Sequence, residues 1–424
     1  MSDKKIRRLP LAAAAMVACM SAHAGYTSPD GNFSLSGFGT LGAVRTTTDE
    51  ALFNYPGQGG GAGKTFSLDP DSKVAVQGTY KVTPTVSATA QVMTKYDAEG
   101  SYVPNFEWAF VKWQPANGWA VRAGRMGAPF FMISDFRDVG YANVAVRPNL
   151  DVYGQVPVSY VDGGDVSYQA NVGPANVTAT VWGGNSKAEY SSALHSALPG
   201  LSSVPPVDVA LDRMMGLNLQ AEFDGGYSLR VGHMTSKLTT TSAIASTSVA
   251  LAPALASTLV TDNTRATFSG IGFSVDRDNV VINGEYTKRR IAKGYVADTT
   301  GWYLLGGYRF GSVLPYVSFS RLKVDDPNAD VSGFTPTNLA EGTGLAVAKG
   351  VLKTQTLAQH TTSVGVRWDV MPSVALKAQV DRIVKPANGN GLFLVPDSST
   401  SAAQNFYANK KNINVFSVAA DFVF

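Results

Sequence analysis

The chain has 424 residues, 45% of them hydrophobic, with 35 Lys and Arg against 32 Asp and Glu. Its first 24 residues hold four of the bases (Lys4, Lys5, Arg7, Arg8) and one acid (Asp3), so the remainder balances at 31 against 31, which excludes the basic footprint of a nucleic-acid binder. The single cysteine, Cys19, falls in the same leading segment, so the rest of the chain has no thiol for a disulfide, a thiolate metal site or cysteine catalysis.

In chain order, the first element is an export signal. A basic n-region precedes an apolar stretch from Leu9 to about Met20, and Ala22-His23-Ala24 forms a small-residue cleavage site before Gly25. Residues 1–24 are expected to be removed, leaving 25–424 as one barrel domain. Lipoprotein processing at Met16-Val17-Ala18-Cys19 is the weaker reading, because a barrel needs no lipid anchor. Beyond the signal no run approaches the roughly 18 apolar residues of a membrane helix. A membrane protein of this composition has to be a closed barrel, in which lipid-facing and water-facing residues alternate.

The alternation is visible segment by segment. Val74, Val76, Gly78, Tyr80 and Val82 alternate with Lys73, Ala75, Gln77, Thr79 and Lys81, and after a turn at Thr83-Pro84 the pattern resumes with Val86, Ala88, Ala90 and Val92. Similar strand pairs meet at short turn-forming segments near 115–118, 173–176, 224–226, 276–279, 311–312 and 371–373. Seven tight turns join fourteen strands; a first strand over about Phe33 to Val44 and a last over Ile413 to Phe424 make sixteen. The other connections are long, at roughly 47–71, 96–104, 126–162, 184–211, 238–264, 291–299, 324–358 and 387–410. The prediction is an all-β, transmembrane, antiparallel up-and-down barrel of about 16 strands with all long loops on one side. A soluble repeat or sandwich also alternates, but explains neither the one-sided loops nor the aromatic last strand.

Three positions break the parity. Phe268 disagrees with Ile271, Phe273 and Val275, which predicts a bulge or a shifted boundary there. Arg125 shares the parity of Val121 and Ala123, and Arg382 that of Val380, so both are expected near a rim where a long basic chain reaches water or headgroups.

The remaining parity fills the lumen with Lys73, Lys81, Lys95, Arg122, Arg230, Arg289, Arg309, Arg367, Lys377 and Lys385 against Glu107, Glu222, Asp224, Glu285, Asp369 and Asp381. So many charges are costly in a dry core and hydrated in a channel, which predicts a pore. The third long connection is aromatic (Phe130, Phe131, Phe136, Tyr141, Tyr153) and is expected to bury itself in the lumen, presenting Asp135, Arg137 and Asp138 at the narrowest point. The expected constriction and lining residues are therefore Arg122, Arg125, Asp135, Arg137, Asp138, Arg230, Arg367 and Lys377. Four wall cations (Arg122, Arg230, Arg367, Lys377) against Asp135 and Asp138 predict a weak anion preference.

The whole chain after the signal, with its sixteen strands, long third loop and final phenylalanine, resembles the Gram-negative porin family. Arg122-Ala123-Gly124-Arg125 leading into Gly127 is similar to the strand that enters the constriction loop there. The resemblance implies a homotrimer of water-filled channels in the outer membrane, surrounded by lipids and lipopolysaccharide and passing small hydrophilic solutes by passive diffusion. It also implies a last strand recognised by the barrel-assembly machinery, and no cofactor. Arg137 departs from the purely acidic third loop common in the family. Small residues on the outer face of the early strands (Gly37, Gly39, Gly78, Ala88, Ala90, Ala123) place the trimer contact there.

Other motifs carry less. Gly57 to Thr65 resembles a phosphate loop, but Gln58 stands where its first glycine belongs, so the segment reads as a flexible external loop. Residues 238–259 are uncharged and rich in Ala, Ser and Thr, suiting a short helix on the rim. His195, His233 and His360 lack ligand spacing, so no metal site is expected. Two rival readings remain: a substrate-specific channel for small anionic solutes, with Tyr303, Arg309, Arg367 and Lys377 as a ladder, and a barrel hydrolase using His233 with Ser236. The reading adopted is a channel without enzymatic activity.

Overall fold

The computed structural model describes residues 25–191, 205–396 and 400–424; the expected export signal and His195 lie outside the described residues. A two-residue strand, β1 (Tyr26–Thr27), precedes β2 (Phe33–Thr46), β3 (Lys73–Thr83), β4 (Val86–Lys95), β5 (Asn105–Trp113), β6 (Trp119–Gly127), β7 (Tyr160–Val172), β8 (Ala175–Tyr190) and β9 (Val207–Phe223). The second half holds β10 (Tyr227–Thr241), β11 (Thr261–Arg277), β12 (Val280–Ile291), β13 (Asp298–Tyr308), β14 (Val313–Asp326), β15 (Gln359–Met371), β16 (Val374–Lys385) and β17 (Lys411–Val423). From β2 onward each strand pairs antiparallel with its successor, and β17 returns to pair with β2, closing a sixteen-stranded up-and-down barrel. β1 only adds two residues against Ser34 and Leu35 of β2.

The tight turns fall where the sequence places them, and the long loops share the opposite rim. β5 and β6 have 9 residues each, about the minimum for a tilted membrane strand. β8 to β11 have 15 to 17, more than the sequence suggests, so this side of the wall continues beyond the lipid band.

Lipid-facing positions are exposed and apolar, for example Leu217, Leu219, Val231, Ile271, Leu304, Phe319 and Val364. Aromatic residues gather at the turn-side ends of the strands, where Trp119 lies 4.7 Å from Tyr168 and Tyr308 lies 4.9 Å from Phe310, forming part of an interfacial girdle. Phe268 is 4% exposed, against 57% for Ile271, and the pairing of β10 with β11 runs unbroken from Tyr227↔Val275 to Leu238↔Thr264. The expected bulge is absent from this segment. Phe268 points inward because the third loop supplies it with an apolar partner.

The seam between β17 and β2 is locked by aromatic rings. A Cβ on Gly37 would overlap the Phe424 ring, and one on Gly39 would overlap the Phe422 ring. These two glycines, expected to offer a flat contact for a neighbouring barrel, are covered by the protein's own last strand.

The loops form an ordered cap. A short helix α1 (Leu150–Tyr153) lies in the third loop; α2 (Ala243–Leu251) and α3 (Ala256–Leu259) occupy the uncharged segment read as helical from sequence. α4 (Leu339–Lys353) and α5 (Ser401–Ala408) belong to the last two loops. α2 and α4 pack together through Ile244, Ala245, Val347 and Val351, and Ser248 Oγ donates to the Gly344 carbonyl at 2.7 Å. The glycine-rich segment near Gly57 is external but held in place, since the Gln58 amide donates to the carbonyls of Pro70 and Tyr96.

Candidate pore constriction

A loop inside a barrel has left the ladder of strand hydrogen bonds, so its backbone groups need partners on the wall. The third loop, from Ala128 to Ser159, finds them around almost the whole circumference. Its base closes with Ala128 N–H donating to the Ser159 carbonyl at 3.0 Å. Phe130 and Phe131 then reach the far wall, with ring centroids 5.8 and 5.2 Å from Phe268, while Phe130 also meets Trp182 edge-on. Arg230 donates to the Pro129 carbonyl at 2.5 Å. Glu285 on β12 accepts the Met132 N–H at 2.8 Å and the hydroxyls of Tyr153 and Tyr303.

The chain next returns toward β3 to β5. Asp138 sits 3.0 Å from Lys73 and 3.6 Å from Lys95, with Arg137 Nε also at 3.6 Å. Burial opposes the Asp138 charge, but Lys95, Lys73 and Arg137 outweigh it and hold its pKa well below the usual carboxylate range. Asp135 is exposed, and with Arg137 and Asp138 it borders a narrow crevice against Gln91, Glu107 and Trp108.

Beyond this point the loop dives toward the turn side, where the Tyr141 hydroxyl donates to the Pro372 carbonyl. Here two of the expected pore cations act as clamps. Lys377 Nζ donates to the carbonyls of Gly140, Asn143 and Ala145 at 2.7, 2.6 and 3.1 Å and pairs with Asp421 at 2.9 Å. Arg367 donates to the carbonyls of Tyr141 and Asn143 and pairs with Asp369.

The return path is anchored by residues the sequence reading passed over. Arg147 is buried and forms a two-point pair with Asp71 of the first loop, at 2.6 and 2.8 Å, and bonds Asp381 and Ser417. Burial works against its charge, yet Asp71 and Asp381 raise its pKa. Asp151 on α1 accepts from Ser320 Oγ and Gln359 Nε2, each at 2.7 Å. Gln155 donates to Thr287 and accepts from Thr299, while Arg289 donates to its carbonyl. A charged Arg flanked by Val144, Ala145, Val146 and Pro148 was the available signal that this stretch had buried partners.

Asp151 yields a pH prediction. Burial pushes its pKa up to about 6, with the Ser320 and Gln359 hydrogen bonds only partly offsetting it. An acid whose folded pKa is raised favours the folded state while protonated, so stability is lost as pH rises from about 4 through 6. Changing Asp151→Asn should remove that slope, and at pH 7.5 the variant should be more stable by about 3 kcal/mol at most. Denaturation midpoints at pH 4.5 and 7.5 would check it, and equal slopes in both proteins would contradict the assignment.

Between the loop and the opposite wall lies a cavity of about 360 Å³. Met132, Ile133 and Phe136 border it on the loop; Gln220, Ser228, Ser274, Asn283 and Ser318 face it from β9 to β14. Tyr303 and Tyr316 add aromatic faces, and Phe53 and Phe393 stand toward the loop side. Its charged lining is Arg147, Asp151, Glu222, Asp276 and Asp381. Arg147 and Asp381 neutralise each other and Asp276 pairs with Arg309, which leaves Glu222 and the buried Asp151 without a basic partner among the described residues.

The structure thus places the eight expected site residues as follows. Arg230, Arg367 and Lys377 face the lumen and are spent on the third loop's carbonyls. Arg122 also faces inward, donating to Asp165 at 2.9 Å. Asp135, Arg137 and Asp138 are together on the loop but face the crevice toward β2 to β5. Arg125 lies on the outer face, paired in register with Asp162, bonded to it twice at 2.7 Å and stacked 3.8 Å from the Tyr160 ring. Its place among the pore-lining residues is corrected, because its parity is that of the lipid side and Asp162 supplies the counter-charge there. Arg382 also faces outward, three residues from the loop-side end of β16.

No protein-family model and no curated relative matches the sequence. Among solved structures, the outer membrane channel DcaP of Acinetobacter baumannii is similar over 95% of this chain and 100% of its own, with a TM-score of 0.52 at 10% identity. Salmonella typhi OmpF gives 0.53 at 14% identity over 94% and 100% of the two chains. An anion-selective porin from Comamonas acidovorans gives 0.51 at 13% identity over 92% and 99%. With the closed sixteen-stranded wall, apolar belt and inward third loop, these likenesses define the class: the chain has the fold of the Gram-negative outer-membrane porins, a closed transmembrane-type β-barrel.

Proposed function

We propose that the protein is a channel for passive diffusion of small hydrophilic solutes and ions across the outer membrane. The observation that carries this is the cavity of about 360 Å³ beside the third loop, whose barrel-strand side is mostly hydroxyl and amide side chains. Such groups replace water's hydrogen bonds for a passing solute without holding it. The working unit is a homotrimer, in contact with lipid and lipopolysaccharide and assembled through its last strand. Gly78, Ala88, Ala90 and Ala123 remain as the small-residue face for contact between barrels once Gly37 and Gly39 are assigned to the seam.

The anion preference read from Arg122, Arg230, Arg367 and Lys377 is weak in this proposal. Each cation directs its donors to loop carbonyls or to a wall carboxylate (Asp165, Asp369, Asp421), so only a longer-range field reaches the water, opposed by Glu222. In reconstituted bilayers, conductance with three equal closing steps per insertion is expected. Glu222→Gln should move the reversal potential toward anions, and Arg122→Glu with Arg230→Glu toward cations. Both shifts should be larger at 0.01 M salt, where screening acts over about 30 Å, than at 1 M, where it acts over about 3 Å. Absence of any conductance from purified protein would overturn the channel reading.

Of the ladder invoked for a substrate-specific channel, only Tyr303 borders the cavity, so that reading has less support. The pair named for a hydrolase is not brought together. Ser236 faces the lumen while His233 faces outward, where its Nδ1 meets Ser269 Oγ at 2.7 Å. His233 pairs in register with Leu217, which supplies no carboxylate to orient it.

A further inference from the structure

The lumen-facing register of a porin wall is expected to be wet, yet on the loop side of β9 to β12 it is apolar. Leu211, Met234, Leu238, Phe268 and Ile291 all point inward there and are buried. They wall a second cavity, of about 120 Å³, bordered toward the channel by Phe130 and Val156 of the third loop and from above by Val351 of α4. Most polar groups on its margin are already engaged. Arg289 directs three of its five N–H groups to the carbonyls of Gln155 and Ala297, and the Gln155 amide is held by Thr287 and Thr299. The hydroxyls of Ser236 and Thr240, both on β10 and both lining the cavity, make no hydrogen bond among the described residues; Ser236 lies between Met234 and Leu238 and is 3% exposed.

A largely apolar pocket of about this size admits a single ring such as benzene. A buried hydroxyl without a partner is unfavourable, so an occupant that bonds it gains more than its ring contacts alone. We propose that this chamber is a binding site for a small neutral aromatic or alicyclic alcohol, its ring against Met234, Leu238 and Phe268 and its hydroxyl on Ser236 Oγ. The site is separate from the diffusion path and does not depend on the channel reading.

The test uses fluorine NMR on the full barrel in detergent, with 4-fluorophenol and fluorobenzene as probes. A protein-bound resonance of 4-fluorophenol is expected in the native protein and should vanish in Ala266→Phe, which fills the chamber beside Ser236. Val351→Trp, on a loop helix outside the barrel wall, should have the same effect should Ala266→Phe fail to fold. Ser236→Ala should weaken 4-fluorophenol about fivefold and leave fluorobenzene unchanged. Equal bound signal in native protein and either filled variant would show that the probe partitions only into detergent or elsewhere, and would overturn the site. Equal weakening of both probes by Ser236→Ala would overturn the role given to the hydroxyl.

Discussion

Replacing Lys377 by Met is expected to loosen the third loop and raise single-channel conductance and open-state noise. The buried ammonium is the meeting point of three loop carbonyls, and nothing else on β16 can donate to all of them. Its loss also strands Asp421, which among the described residues otherwise has only the Thr40 hydroxyl, at 2.5 Å. Breaking a buried pair from one side costs about 3–5 kcal/mol, so Lys377→Met should unfold at a markedly lower temperature. The double change Lys377→Met with Asp421→Asn separates the two effects. It should recover most of the stability, because no unpaired charge remains, while keeping the raised conductance. Native conductance in the double variant would show that the clamp does not hold the loop.

The seam gives the second large effect. Phe424 exchanges backbone hydrogen bonds with Gly37 at 2.8 and 2.9 Å while its ring and that of Phe422 cover Gly37 and Gly39. Changing Phe422 and Phe424 together to Ser removes two aromatic contacts, each worth about 3–5 kcal/mol when buried, from the strand pair that closes the barrel. The expected result is protease-sensitive chain with no heat-modifiable barrel on an unboiled gel. Gly39→Val approaches the same contact from the other strand and should also prevent closure, since its side chain would occupy the place of the Phe422 ring. Normal folding of Gly39→Val would show that the ring can sit elsewhere and that the seam tolerates it.

The strands and tight turns were legible because they obey local rules: a period of two and turn residues at the short connections. Parity was equally reliable about direction, since Arg230, Arg367 and Lys377 do face inward. It could not say what they meet there. A lysine facing water and a lysine facing a loop carbonyl look alike in a strand, and only the loop's path separates them. Phe268 shows the same limit in reverse, since an aromatic on the wet parity looked like a bulge until Phe130 and Phe131 arrived to cover it. Arg147 and Asp151 were hidden for a related reason. Their partners, Asp71, Asp381, Ser320 and Gln359, are scattered over more than three hundred positions of the chain, and no local pattern links them.

The third loop touches strands on nearly every side of the barrel, and this gives the bore a mechanical property. A thin-walled tube is soft toward flattening, because its strands can hinge along their ladders without breaking bonds. A member fastened at Lys73, Glu285, Ser320, Arg367 and Lys377 acts as internal bracing and resists that ovalisation. The same fastenings transmit load in the other direction: lateral pressure from the bilayer that squeezes one diameter must displace the braced segment, so the width of the passage and the roundness of the wall are one coordinate rather than two.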